Sequence, residues 1–174
     1  MKKILYRGNF SNFVVKNNYE YIERNNCKGI VVIFPITEDK KIVLVEQFRI
    51  PVRKRMIELP AGLARDTLEF KGETLKQAAQ RELLEETGFR AGSLKLMGKW
   101  APAPGLCSEM LTIYFASKLK KIEKGGGDEN ENITVHTVPL KKLSSFLKKK
   151  RDHNILVDIK IYAATYWYLT EKAF

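Results

Sequence analysis

Apolar and polar positions along the chain separate strand-like runs from one central and two C-terminal helix-like stretches. Residues 2–25 carry short alternating, β-rich runs, such as Phe13-Val14-Val15 and Tyr19-Glu20-Tyr21-Ile22, broken at Gly8 and at Asn17-Asn18. They predict two or three antiparallel strands. Residues 29–36 form a near-continuous apolar run suited to a strand covered on both faces. After a turn at 37–40, residues 41–49 return as its expected hairpin partner. Met56-Ile57-Glu58-Leu59 is a short strand stopped by Pro60. Residues 93–100, 110–116 and 133–138 give three further strands. Residues 139–148 have apolar positions at helical spacing behind Pro139, and residues 155–172 repeat that spacing with Ile155, Ile159, Tyr162, Ala163, Tyr166 and Leu169, an aromatic-rich helix expected to close one side of the core.

The central stretch carries the chemistry. Thr74 with Gln77 three residues on is a capping-box start, nothing between them and Glu86 breaks a helix, and Gly88 stands where a left-handed C-terminal residue belongs. At roughly 100° per residue, Leu75, Ala78, Ala79, Glu82, Glu85 and Glu86 share one stripe, apolar in its first half and acidic in its second. Like charges on one helical face repel, and a carboxylate turned toward protein must be paired or bound to a cation. The residues alone allow two readings: an acidic patch answered by Arg and Lys, or a hard-cation site on Glu82 and Glu86 with Glu85 beside it. Oxygen-only ligands at that spacing suit Mg²⁺ or Mn²⁺ better than zinc.

Composition bounds the rest. The 174 residues suit one well-buried domain, expected to span 1–174, and no apolar run approaches the roughly 18 residues of a membrane helix. Basic residues at the start are not followed by an apolar stretch of secretory type. The two cysteines, Cys27 and Cys107, fit neither a disulfide framework nor a zinc spacing, so a soluble protein of the reducing cytoplasm is expected. The net charge of +11 lies largely in separate short lysine runs without interleaved aromatics. That distribution favours a solvated surface over a nucleic-acid footprint, while a positive field would help to draw in a polyanionic small substrate.

Arg81-Glu82-Leu83-Leu84-Glu85-Glu86-Thr87-Gly88-Phe89, with Glu73 eight positions before Arg81, resembles the Nudix box, the R-E-U-x-E-E-x-G-U signature of hydrolases acting on nucleoside diphosphates linked to another moiety. The box departs from the family pattern at its front, where ten residues separate Gly62 from Glu73 instead of five. Loop length of this kind costs little thermodynamically. The resemblance implies an α/β fold, a Nudix α/β/α sandwich with a mixed sheet over residues 26–174, preceded by a small N-terminal antiparallel β-sheet at 1–25.

The resemblance narrows further toward the relatives that hydrolyse ADP-ribose and other nucleoside diphosphate sugars. Gln47-Phe48-Arg49 and Glu58-Leu59-Pro60-Ala61-Gly62 occur in their order, Pro104 lies sixteen residues beyond Gly88 near a proline of that branch, and Gly105 and Glu109 match the branch's pattern just after that proline. By resemblance, Ala61 through its carbonyl, Glu82, Glu86 and Glu131 are metal ligands for Mg²⁺, with Mn²⁺ as substitute. Glu129 is the candidate base, with Glu85 and Arg81 beside it in the catalytic set. Arg49 and Glu58 lie near the substrate, though a structural ion pair explains them equally, and Pro104, Gly105 and Glu109 complete the substrate-binding set. The stretch 124–132, three glycines leading into acids, is by composition a mobile polar loop; in the relatives such a loop supplies the base and a further ligand. His136 and His153 read as structural or surface residues. The relatives commonly form a homodimer through the N-terminal sheet. Nucleoside triphosphates, dinucleoside polyphosphates and capped RNA are alternative substrates for such a box, and a non-catalytic ADP-ribose sensor is the alternative outside enzymes.

Overall fold

The computed structural model describes residues 1–25, 27–64, 70, 72–127 and 132–171. Lys2–Arg7 (β1), Ser11–Lys16 (β2) and Tyr19–Arg24 (β3) form an antiparallel sheet in that order. Asn17 and Asn18 turn between β2 and β3 with φ of 51° and 63°. Two positive φ values match the strand twist of a tight hairpin, and Asn tolerates them better than most residues.

Two four-stranded mixed sheets form the body of the molecule. Gly29–Pro35 (β4) enters one and Lys41–Arg49 (β5) the other. With Lys54–Glu58 (β6), Ala61–Ala64 (β7), Phe89–Trp100 (β8), Leu111–Lys121 (β9), Thr134–Pro139 (β10) and Leu156–Val157 (β11), the strand orders are β7-β4-β9-β8 and β10-β5-β6-β11. The β4–β9 and β6–β11 pairs are parallel, the rest antiparallel.

The expected β4–β5 hairpin is therefore not formed: the two strands share one bridge, Ile36 to Ile42, and then separate into different sheets. A continuously apolar strand is marked as buried by its sequence, but nothing in such a run chooses its neighbour.

Helix α1, Leu75–Thr87, packs Ala78, Ala79 and Leu83 on Val31 and Ile33 of β4, with Ala64 and Leu94 alongside. The alternate β4 residues, Val32 and Phe34, point the other way. They join Ile42 and Leu44 of β5, Ile113 of β9, Leu143 and Leu147 of α2 (Leu143–Asp152) and Ile161 of α3 (Ile159–Thr170) in the main core. Period-two alternation thus lets β4 serve helices on both sides.

Helix α3 begins later than its pattern predicts, because β11 and the N-cap Asp158 intervene. Its buried face is Ile161 and Ala164, with Trp167 and Tyr168 partly buried; Ile159, Tyr162, Tyr166 and Leu169 are exposed. Apolar residues occur all round this helix, so spacing alone did not choose the face.

On the β5–β10 surface beneath α2, the buried Glu46 carboxylate accepts hydrogen bonds from Arg55 at 2.7 Å and Lys150 at 2.6 Å, and pairs with His136 Nε2 at 2.9 Å. His136 also packs on Phe146, so it is a structural residue. The exposed His153 bonds the Lys149 carbonyl through Nδ1. No helix among the described residues is long and apolar enough to cross a membrane.

Candidate active site

The capping box forms as its residues dictate: Thr74 Oγ1 accepts from the Gln77 amide and Gln77 Oε1 from the Thr74 amide, while Gly88, at φ 70°, ends the helix. With Ala78, Ala79 and Leu83 seated on the sheet, the acidic half of α1 lies against the first residues of β7. Glu86 is only 3% exposed, and its Oε2 accepts from the Ala61 amide at 3.0 Å. One turn earlier, the Glu82 carboxylate lies where a Cβ on Gly62 would sit. A side chain at position 62 would displace it. Two of the box carboxylates thus meet one short piece of main chain, while Glu85 stays exposed at the flank.

Arg81 binds this arrangement together. Its Nε donates to Glu73 Oε1 at 3.0 Å, its Nη1 to Glu82 at 2.8 Å and Glu85 at 2.9 Å, and its Nη2 to the Leu63 carbonyl at 3.0 Å and Glu73 Oε2 at 3.3 Å. Those five bonds use every N–H that a guanidinium carries. Burial works against the charge, but the Glu73 hydrogen bonds and the nearby Glu82 and Glu85 outweigh it and raise the Arg81 pKa above its ordinary value. The Phe70 ring lies 4.2 Å from the guanidinium carbon, a cation–π contact supplied by the lengthened front of the box.

These residues border a cleft of about 640 Å³. Ala61, Gly62, Leu63, Phe70, Arg81, Glu82 and Glu85 line one part. Arg49 and Glu58 line another, with Arg24, Pro102, Glu109 and Lys160, and Ile30, Val32 and Leu111 add apolar wall. Arg49 grips Glu58 through two bonds, Nε–Oε2 at 2.6 Å and Nη2–Oε1 at 3.1 Å, so the pair is both an ion pair and part of the cleft wall. Arg24 holds Glu109 at 2.7 Å. Lys160, in the first turn of α3, folds back on the buried N-cap Asp158.

Pro104 and Gly105 lie in an exposed turn; Pro102 is the proline at the cleft wall, and the Gly105 carbonyl accepts from Tyr19 of the N-terminal sheet at 3.2 Å. Glu129 and Glu131 lie outside the described residues. Arg24, Gly62, Phe70 and Lys160 were absent from the set expected from the sequence. Gly62 alone had a local signal, its place after Pro60-Ala61; the other three come from separate parts of the chain.

The donor set fits a hard divalent cation. It is all oxygen, two carboxylates converge on the Ala61–Gly62 main chain, and the missing side chain at Gly62 leaves room for one of them. Among the described residues, no three His, Cys, Asp or Glu side chains are grouped to hold an ion by themselves.

Residues 28–158 match the NUDIX domain. The chain belongs to the Nudix family. A methanol dehydrogenase activator of Bacillus methanolicus is 35% identical over 153 residues, covering 82% of this chain and 80% of the relative. An ADP-ribose pyrophosphatase of Bacillus subtilis is 34% identical over 145 residues, covering 82% and 74%. A GDP-mannose pyrophosphatase of an Enterobacter species is 27% identical over 143 residues, covering 78% and 71%. Among solved structures, that of an ADP compounds hydrolase superposes with a TM-score of 0.65 at 26% identity, covering 85% of this chain and 80% of that one. The mixed α/β architecture is the Nudix fold, and the protein is a Nudix hydrolase related to the ADP-ribose and sugar-nucleotide pyrophosphatases.

Proposed function

We propose that this Nudix hydrolase cleaves the diphosphate of ADP-ribose or a related nucleoside diphosphate sugar, with Mg²⁺ as cofactor and Mn²⁺ as substitute. The observation that carries this is the meeting of Glu82 and Glu86 with the Ala61–Gly62 main chain at one end of a cleft about 640 Å³ in volume, a size suited to a nucleotide sugar. The Ala61 carbonyl, Glu82, Glu86 and Glu131 would hold the cation. When bound, it supplies charge neutralisation at the diphosphate and acidifies a water.

The chain's own residues do the rest. Arg81 keeps the box carboxylates oriented, with Glu85 in reach of its guanidinium at 2.9 Å. Glu129 takes the proton of the attacking water as its oxygen bonds to one phosphorus and the bridging P–O bond breaks. Arg49, Glu58 and Glu109 face the substrate from the cleft wall, and Pro104 and Gly105, on the loop leading to Glu109, complete the substrate-binding set. The products are a nucleoside monophosphate and a sugar phosphate.

In this reading the chain works as one domain and as a homodimer, in a reducing cytoplasm where Cys27 and Cys107 form no disulfide. Support for the dimer lies in residues 1–25, where Leu5, Tyr6, Phe10 and Tyr19 are exposed while Arg24 reaches the cleft. Light scattering behind gel filtration tests it, and a monomer at micromolar concentration would refute it.

The decisive experiment is a panel of ADP-ribose, GDP-mannose, ADP-glucose, UDP-glucose and nucleoside triphosphates with Mg²⁺, scored for monophosphate release. ADP-ribose is expected to lead. Glu86→Gln should lose at least about a hundredfold in turnover while folding normally. Near-normal turnover of that variant at saturating Mg²⁺ would sink the ligand assignment.

A further inference from the structure

Lysine at position 160 stands against the local preference of α3. The first turn of a helix carries the positive end of its dipole and favours acidic side chains, yet the first turn of α3 holds no acid and Lys160 is its second residue. Its place is firmly set. Ile161 is fully buried in the main core, the Asp158 amide donates to the Ile57 carbonyl at 2.9 Å, and the Ile161 amide donates to the Asp158 carbonyl at 3.1 Å. The start of α3 is thereby tied to β6 one residue before Glu58, and Lys160 lines the cleft together with Arg49 and Glu58.

The cations of the cleft differ in how far they are engaged. Arg81 spends all five N–H groups on Glu73, Glu82, Glu85 and Leu63, Arg49 donates twice to Glu58, and Arg24 donates through Nε to Glu109. Lys160 carries three N–H groups, and among the described residues its one ion-pair partner is Asp158. Asp158 is 3% exposed, and its other oxygen accepts from the Lys160 amide at 2.8 Å, so a single carboxylate oxygen meets the whole ammonium. The Lys160 side chain remains a quarter exposed, at the cleft. The amides of Lys160 and Ile161 are used at the helix start itself, so an anion arriving here meets the ammonium and not those amides.

We infer that Lys160 is a phosphate-binding residue of the cleft, whose ammonium donates to the diphosphate of the nucleoside diphosphate sugar. The inference rests on the substrate class proposed above. It gives the lysine a task apart from the box carboxylates, which repel a diphosphate unless a cation stands between them. The entering anion takes the donors that one Asp158 oxygen leaves over, while Asp158 keeps its hold on the helix start through the Lys160 amide. The same anion offsets the repulsion between the ammonium and the positive end of α3. Asp158 is a positioning residue, which keeps the ammonium at the wall.

The test compares wild type with Lys160→Met, Lys160→Arg and the double variant Asp158→Asn/Lys160→Met, measuring kcat and KM for ADP-ribose, melting temperature, and calorimetric binding of ADP and adenosine in Mg²⁺. Lys160→Met should raise KM by at least about tenfold, the scale of one charge-assisted hydrogen bond, with kcat changing less. ADP should bind more weakly by a similar factor, while adenosine, which has no phosphate, should bind as it does to wild type. Lys160→Arg should recover part of the loss, since it keeps the charge but not the compact ammonium. Lys160→Met also strips a buried carboxylate of its cation and should melt earlier. Asp158→Asn keeps a helix-capping side chain without the charge, so the double variant should regain melting temperature while its KM stays raised. If the double variant regains the wild-type KM, or if ADP binds Lys160→Met as it binds wild type, the lysine only offsets Asp158 and the inference is overturned. If ADP binding falls in Lys160→Met while wild type leaves ADP-ribose intact, the proposed substrate is wrong and the role of the lysine stands. A wild-type protein that binds no ADP overturns both.

Discussion

The Glu86 carboxylate accepts a hydrogen bond from the Ala61 amide at 3.0 Å, joining the last turn of α1 to the first residue of β7. The same approach places Glu82 where a side chain on Gly62 would be. Backbone and carboxylates here share one small volume, so the residue types at 61 and 62 matter for their size. Gly62→Ala should drive Glu82 off its position and lower turnover by about a hundredfold, the scale of a misplacement near one ångström. Steady-state kinetics checks this, with thermal melting to show that the fold persists.

Arg81 spends all five N–H groups on Glu73, Glu82, Glu85 and Leu63. Removing a largely buried charge leaves its partners uncompensated, so Arg81→Met should destabilise by about 3–5 kcal/mol in urea unfolding. Arg81→Lys keeps the charge but not the planar fork. It should be more stable than Arg81→Met and still slow, because an ammonium has three donors where five are used.

Arg49 and Glu58 separate structure from function by a kinetic split. Glu58 is 6% exposed and its partner is at 2.6 Å. Arg49→Ala should therefore lower the melting temperature by stranding a buried carboxylate. With Arg49 also on the cleft wall, KM for the nucleotide sugar should rise by about tenfold, the loss of one charge-assisted hydrogen bond. A melting shift with unchanged KM would restrict the pair to a structural role.

What could be read from the chain was what is local. Thr74, Gln77 and Gly88 decide the bounds of α1 within one stretch, and the box shares that stretch, so helix and carboxylates were recognisable together. Strand pairing is only partly local: β5 pairs with β6 directly after it, but the apolar runs of β4 and β5 fit any buried strand, and their partners β9 and β10 lie about eighty to a hundred residues on. The glycine run shows the same limit. Three glycines in a row mark flexibility only if nothing docks on them, and the end of α1, which does, lies some forty residues away. Arg24, Phe70 and Lys160 reach the cleft from three regions that no spacing rule connects.

The Glu46 cluster predicts how the protein responds to acid. Burial works to raise the Glu46 carboxyl, but hydrogen bonds from Lys150, Arg55 and His136 outweigh it and hold the pKa at about 2, below an ordinary 4.5. His136 is shifted the same way for another reason: burial disfavours its charged form, helped by Lys150 and Arg55, and the Glu46 contact only partly restores it below 6.5. Both folded values lie under the unfolded ones, so the unfolded chain takes up each proton first as pH falls. The His136 contribution is present above pH 6.5 and fades below it; that of Glu46 is present above 4.5 and is lost on the way to about 2. Urea unfolding from pH 8 to 2.5 should therefore show two declines, the second steeper because Glu46 gives up its partners there. His136→Asn should flatten the first. Glu46→Gln should flatten the second and cost about 2 kcal/mol at neutral pH, less than a fully buried pair because Arg55 and Lys150 keep some access to water. A Glu46→Gln profile parallel to wild type below pH 4.5 would show that the carboxylate is not held down by its neighbours.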